Sequence, residues 1–135
     1  PDGTLAITMP MGNARLPGIA AEDIGRCAYG LFKAGPAFVG RTVGIAGEHL
    51  TGAQMAEALA RALGRPVRYQ DVPPEVYRGF GFPGADDLGN MFQFKRDFEA
   101  DFCRARDVAL SRSLNPRLQD FAAWLGANAG RIPVG

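Results

Sequence analysis

The sequence predicts an α/β fold with few strands followed by a mainly helical second half. Three observations lead there. Short β-branched runs bounded by glycine and proline stand at 4–9, 42–48 and 66–72. Segments with apolar residues at helical spacing lie between them, giving a β–α–β order that favours parallel pairing. Beyond residue 72 the pattern turns helical and irregular, with Pro–Pro and Gly–Phe punctuation.

Residues 4–9, "TLAITM", predict the first strand, and 10–18 a loop carrying two prolines and two glycines. In the following helix Ile24, Cys27, Ala28, Leu31 and Phe32 fall at i, i+3, i+4, i+7 and i+8, an apolar face expected to point inward. Glu22 and Asp23 in its first turn and Lys33 in its last suit the helix dipole, and Gly35 with Pro36 stops it. "TVGIAGE" at 42–48 reads as a buried strand. Thr51 and Gln54 then form a capping box, with Leu50 and Met55 at the staple positions. Met55, Leu59, Ala62 and Leu63 line the inner face of that helix, which Gly64 closes and Pro66 blocks. "PVRYQDV" alternates like an edge strand.

Three short helices are expected in the second half. The first is entered through Pro73 and Pro74. The second covers about 85–94 and ends or bends near Phe94, because Lys95 and Glu99 would otherwise fall in its apolar stripe. The third is capped by Asn115, with Pro116 at the first helical position and Leu118, Phe121, Ala122 and Leu125 inward. In the second helix Met91, Phe92 and Phe94 spread over a broad face, which serves either as core or as the wall of a small-molecule pocket.

Composition narrows the class. The chain has 135 residues, 47% hydrophobic and 21% charged, enough for one globular body that buries roughly two-thirds of its unfolded surface. Fifteen Lys and Arg against 14 Asp and Glu leave a formal charge of +1 with no basic run, so no direct nucleic-acid contact is expected. No apolar stretch reaches the roughly 20 residues that span a bilayer, and no secretory signal pattern opens the sequence, so no membrane association is expected. Cys27 and Cys103 make neither a disulfide framework nor a metal spacing, which fits a reducing, cytoplasmic setting. The abrupt start, without an initiator Met, fits a trimmed tag, a proteolytic cut or the middle of a longer protein.

Several features imitate catalytic or binding motifs. Gly79, Gly81 and Gly84 match G-x-G-x-x-G, yet a dinucleotide loop needs a buried strand before it, and "PPEVYR" cannot supply one. A tight turn is expected instead. Tyr29 and Lys33 have the Y-x-x-x-K spacing of an acid–base pair, but lie about 140° and about 180° around the helix from Ile24, on the solvent side. His49 is the single histidine, without partners at metal spacing. Cys27 on an apolar face reads as inert, and Cys103, beside Arg104 and Arg106, as unremarkable. No catalytic residue and no metal ligand is assigned.

The segments "GFPGADDLGNMFQF" and "LNPRLQDFAAWL", joined by "EDIG", "VGIAGEHLT" and "LGRPVRY" in the same order, closely resemble the C-terminal part of the NmrA-like family. This family belongs to the atypical short-chain dehydrogenase relatives, and the similarity is strongest to its redox-sensing subgroup. It implies the C-terminal portion of a Rossmann-type NAD(P)-binding fold: residues 1–50 as the last strands and helix of the sheet, and 51–135 as a small substrate-side lobe. It also implies an NADP(H)-binding sensor or regulator, of transcription among other processes, with a regulated partner protein and a homodimer as one assembly. The alternative is an NAD(P)H-dependent oxidoreductase acting on quinones or similar acceptors. Nothing here matches the family's phosphate-binding glycine loop, so NADP(H) would be held mainly by an N-terminal portion outside this chain, and no cofactor-binding residue is assigned. The positions matching the cleft-facing side are Met91, Phe92 and Phe94, with Phe82 beside them and Met9, Met11 and Gly12 opposite. Lys95 stands where similar sequences tend to carry an aromatic.

Overall fold

The computed structural model describes residues 3–134. Strands β1 (Leu5–Met9) and β2 (Arg15–Gly18) come first. Helix α1 (Ala21–Ala34) follows, then a 3-10 turn at Gly35–Phe38, β3 (Glu48–Thr51), α2 (Gly52–Leu63) and β4 (Val67–Asp71). The rest is helical: α3 (Pro74–Arg78), α4 (Ala85–Asp97), α5 (Glu99–Arg104), α6 (Val108–Leu114), α7 (Phe121–Asn128) and a last 3-10 turn at Ala129–Arg131. The α/β class agrees with the expectation.

Two strand pairs carry the sheet structure. β1 runs parallel to β4, with Leu5 opposite Val67 and Met9 opposite Asp71. β2 runs antiparallel to β3, with Arg15 opposite Thr51 and Gly18 opposite Glu48. This second pair corrects two expectations. Residues 15–18, expected as loop, form a strand, and the strand expected at 42–48 begins only at Glu48. Along 42–47 the Ala46 amide donates to Ser111 Oγ at 3.0 Å and the Gly47 amide to the Gly18 carbonyl at 2.7 Å. The Val43 and Ile45 amides have no hydrogen-bond partner among the described residues, so β-branched composition there meets no ladder.

Helix α1 packs on a stripe shifted from the expected one, sharing Cys27 with it but leaving Ala28 exposed. Asp23 and Cys27 are fully buried, and one turn on Gly30 lies against the Leu114 carbonyl of α6. Ile24 and Phe32 remain 49% and 85% exposed, and Leu31 only half-buried, so the apolar face is left uncovered by the described residues. Helix α2 follows its signals: Thr51 Oγ1 accepts from the Gln54 amide, the Gln54 side chain accepts from the Thr51 amide, and Gly64 closes it in the left-handed region at φ +65°. Ala62, expected inward, is exposed, whereas Ala56, Ala58 and Gly52 are buried, Gly52 against the Tyr69 ring.

The glycine triplet forms the turn from α3 to α4, with Gly81 and Gly84 at φ +74° and +87°. Helix α4 does not stop at Phe94 but continues to Asp97, and the break comes at Phe98. Lys95 is tolerated because it is only half-buried over the Phe102 ring, and Glu99 falls in α5, paired with Arg15 at 3.1 Å. Asn115 ends α6 instead of starting a helix, and α7 begins at Phe121, with Asp120 accepting from the Ala123 amide at 2.8 Å. Leu118 and Leu125 are buried and Phe121 half-buried as expected, while Ala122 is exposed. No helix among the described residues is long and apolar enough to cross a membrane.

Candidate functional site

The first shared center of the candidate residues is a small core. Met9, Met11 and Ala14 are buried together, with Ile7, Leu16, Met55, Tyr69 and Phe92 packed against them. The turn after β1 is fastened to the end of β4: the Gly12 amide donates to Asp71 Oδ1 at 2.9 Å, and the Tyr69 hydroxyl to the Met9 carbonyl at 3.3 Å. Burial, followed by the Asp71 charge, raises the Tyr69 pKa above its ordinary value, so the phenol stays a neutral donor. Gly12 sits at φ +55°, which favours glycine in so tight a turn. Met9, Met11, Gly12 and Phe92 are thus brought together, the two methionines as buried floor.

From that floor an aromatic ridge runs outward. Buried Tyr77 of α3 holds Phe92 edge-on at 5.6 Å between centroids, Phe82 edge-on at 5.7 Å and Phe80 tilted at 5.4 Å. Arg78 ties α3 to α4 through Gln93 Oε1 at 2.7 Å and Asn90 Oδ1 at 3.3 Å. Met91 is half-buried on the same helix. Phe94 and Lys95 turn to another part of α4. Phe94 is 56% exposed, with Phe98 5.0 Å away and Phe102 edge-on at 6.4 Å. The Lys95 amine lies 5.2 Å above the Phe102 centroid, and burial, then the nearby Arg106, hold its pKa below the ordinary lysine value. The eight candidates therefore divide into a buried floor, an aromatic ridge and a cationic shoulder.

A larger hollow of about 660 Å³ opens elsewhere, among Leu16, Leu50, Met55, Phe121, Trp124 and Ile132, with Glu22, Glu48 and Arg131 on its margin. It shares Leu16 and Met55 with the methionine core but none of the α4 candidates. Sequence reasoning did not anticipate this hollow, because its walls come from β2, β3, α2, α7 and the last 3-10 turn, and no local motif joins them.

A buried polar knot beside it was also missed. Asp23 accepts from Arg26 Nη1 at 2.9 Å, Asn115 Nδ2 at 2.9 Å, the Gln119 amide at 3.0 Å and Gln119 Nε2 at 3.2 Å. Burial is the largest single influence and would raise the carboxyl pKa, but these hydrogen bonds together outweigh it and leave the pKa below the usual aspartate value. The available signal was an acid followed 92 residues later by an asparagine, which no spacing rule detects.

The imitations resolve simply. Tyr29 is 65% exposed, and Lys33 rests 5.5 Å above its ring. His49 Nε2 lies 2.7 Å from the Arg106 carbonyl. The Cys27 and Cys103 thiols are buried, and burial raises both pKa values, which disfavours the thiolate. Among the described residues no group of three or more His, Cys, Asp or Glu is placed to hold a metal.

Comparison with known proteins supplies the context for this geometry. The model of the NmrA-like family matches residues 1–125. A crystal structure of NmrA, a negative transcriptional regulator, superposes with a TM-score of 0.74 at 23% identity, over 99% of this chain and 48% of that one. NmrA in complex with NADP gives 0.73 at 22% identity, with the same coverage. A nucleoside-diphosphate-sugar epimerase from Staphylococcus aureus gives 0.70 at 20% identity, over 90% of this chain and 43% of that one. The chain spans about half the length of the solved structures it matches.

Proposed function

The chain belongs to the NmrA-like family, and we propose that it forms one wall of the ligand cleft of an NADP(H)-binding redox sensor or regulator. On this reading residues 1–50 supply the last strands and helix of the dinucleotide-binding sheet and residues 51–135 the small lobe, joined by the β1–β4 pairing. The dinucleotide is held mainly by residues outside this chain. Phe82, Met91, Phe92, Phe94 and Lys95 face the cleft, above the floor of Met9, Met11 and Gly12.

The observation that carries the proposal is the family match over residues 1–125, together with the likeness to a regulator crystallised with NADP. The exposed apolar face of α1 supports it, because an amphipathic helix with Ile24 and Phe32 open to solvent is suited to a further layer of protein. A regulatory role is favoured over catalysis because, among the described residues, no set of acid, base and nucleophile converges on the aromatic ridge. The regulated partner is a protein, the setting cytoplasmic, and a homodimer is compatible with the exposed faces.

Titration of the intact protein with NADPH and NADP, followed by calorimetry and by absorbance at the nicotinamide band, tests this. Micromolar or tighter binding of NADPH, with no oxidation above the protein-free rate when quinones are added, is expected. Steady NADPH oxidation replaces the sensor by an NAD(P)H-dependent oxidoreductase, and failure to bind either dinucleotide removes both.

A further inference from the structure

Two cations share one aromatic ring at the shoulder of α4. The Lys95 amine lies 5.2 Å and the Arg106 guanidinium carbon 3.5 Å from the Phe102 centroid. Neither meets a carboxylate. The ion pairs among the described residues are Arg15–Glu99, Arg26–Asp23, Arg61–Glu57, Arg96–Asp97 and Arg104–Asp101, and none includes these two. Arg106 is anchored by donating to the Phe102 carbonyl at 3.2 Å. Lys95 is half-buried instead of reaching into water, and the charge of Arg106 acts against its own.

Such an arrangement differs from an ordinary solvated basic face. Long cationic side chains normally carry their heads out to water. Here two like charges sit on one ring, both half-buried and with Arg106 acting against Lys95, which a nearby anion would relieve. Beside them the Phe94 and Phe98 rings, 56% and 52% exposed and 5.0 Å apart, form an apolar shelf. A guanidinium fork matches a carboxylate better than a neutral polar group, and exposed rings favour a flat, aromatic body.

We propose that Lys95, Arg106, Phe94, Phe98 and Phe102 form a binding site for a planar aromatic carboxylate, with its ring on the Phe94–Phe98 shelf and its carboxylate drawn to the positive charge of Lys95 and Arg106. The site rests on the cleft proposal only in being the ligand end of that cleft. Its chemistry depends on residues of this chain alone.

The test uses the intact protein with 1-naphthoate and its neutral counterpart 1-naphthamide, titrated by calorimetry. Naphthoate is expected to bind at least about tenfold tighter than naphthamide, the order of one charge-assisted contact. Lys95→Met, verified as folded by circular dichroism, should bring the two within about threefold, and Lys95→Arg should restore the preference. Equal binding of acid and amide, or a preference that survives Lys95→Met, overturns the proposal. Displacement of naphthoate by saturating NADPH also overturns it, since the cations would then serve the dinucleotide. Naphthoate binding in a protein that ignores NADPH sinks the dinucleotide proposal and leaves this one standing; NADPH binding without naphthoate binding does the reverse.

Discussion

Asp23 is fully buried and accepts four hydrogen bonds, one from Arg26 within α1 and three from Asn115 and Gln119 that fasten α1 to the segment between α6 and α7. Replacing it by Ala leaves buried donors on Asn115 and Gln119 without an acceptor, and should cost about 3 kcal/mol in urea unfolding at pH 7. Loss below about 1 kcal/mol would show the knot to be incidental. Because the folded carboxyl pKa is depressed, its contribution is complete above the ordinary aspartate value and disappears as pH falls through the lowered one. Stability of the parent should therefore drop more steeply below about pH 4 than that of Asp23→Asn. Gly30 gives a second test at this scale. A methyl group there would run into the Leu114 carbonyl, so Gly30→Ala should destabilise by about 2 kcal/mol despite its better helix propensity. A neutral or stabilising result would mean that α1 and α6 part easily.

At the scale of elements, local chemistry was readable and long-range pairing was not. The capping box at Thr51 and Gln54, the glycine end at Gly64 and the turn at Gly81 and Gly84 follow from short-range geometry, and all were legible. Helix α1 was legible as a helix, but its inner face was misjudged, because the buried stripe is fixed by Asp23, whose partners lie more than 90 residues away. Apolar periodicity marked Ile24 and Phe32 instead, residues that the described chain leaves open. Of the candidate site, the apolar run on α4 was legible, but its division between a ridge at Phe92 and a shoulder at Phe94 and Lys95 was not, since the hub Tyr77 and the cationic seat Phe102 come from elements with weak patterns. The β-branched run at 42–46 remains the clearest disagreement. If a strand from elsewhere in the protein completes it, the Val43 and Ile45 amides should exchange with deuterium in the intact protein as slowly as those of β1. Exchange at the rate of an open loop would show that this stretch is a connector in its own right.

For the whole molecule, the central claim is that these residues are one side of a dinucleotide-dependent cleft. The chain covers about half the length of the NmrA structures it resembles, and its open apolar surfaces on α1 and α4 lie on elements whose other faces are packed. If the proposed role holds, dinucleotide occupancy is converted into a difference between two states, which requires contacts that differ between them. The segments at 10–20 and 96–110 are placed to report it, since the Arg15–Glu99 pair and the Cys103 thiol's contact with the Arg15 carbonyl join them directly. Hydrogen–deuterium exchange of the intact protein with and without saturating NADPH is the most direct measurement. Slower exchange confined to 10–20, 96–110 and the aromatic ridge of α4 is the expected result. NADPH bound with exchange in these segments unchanged would contradict the claim that this chain forms a wall of the cleft.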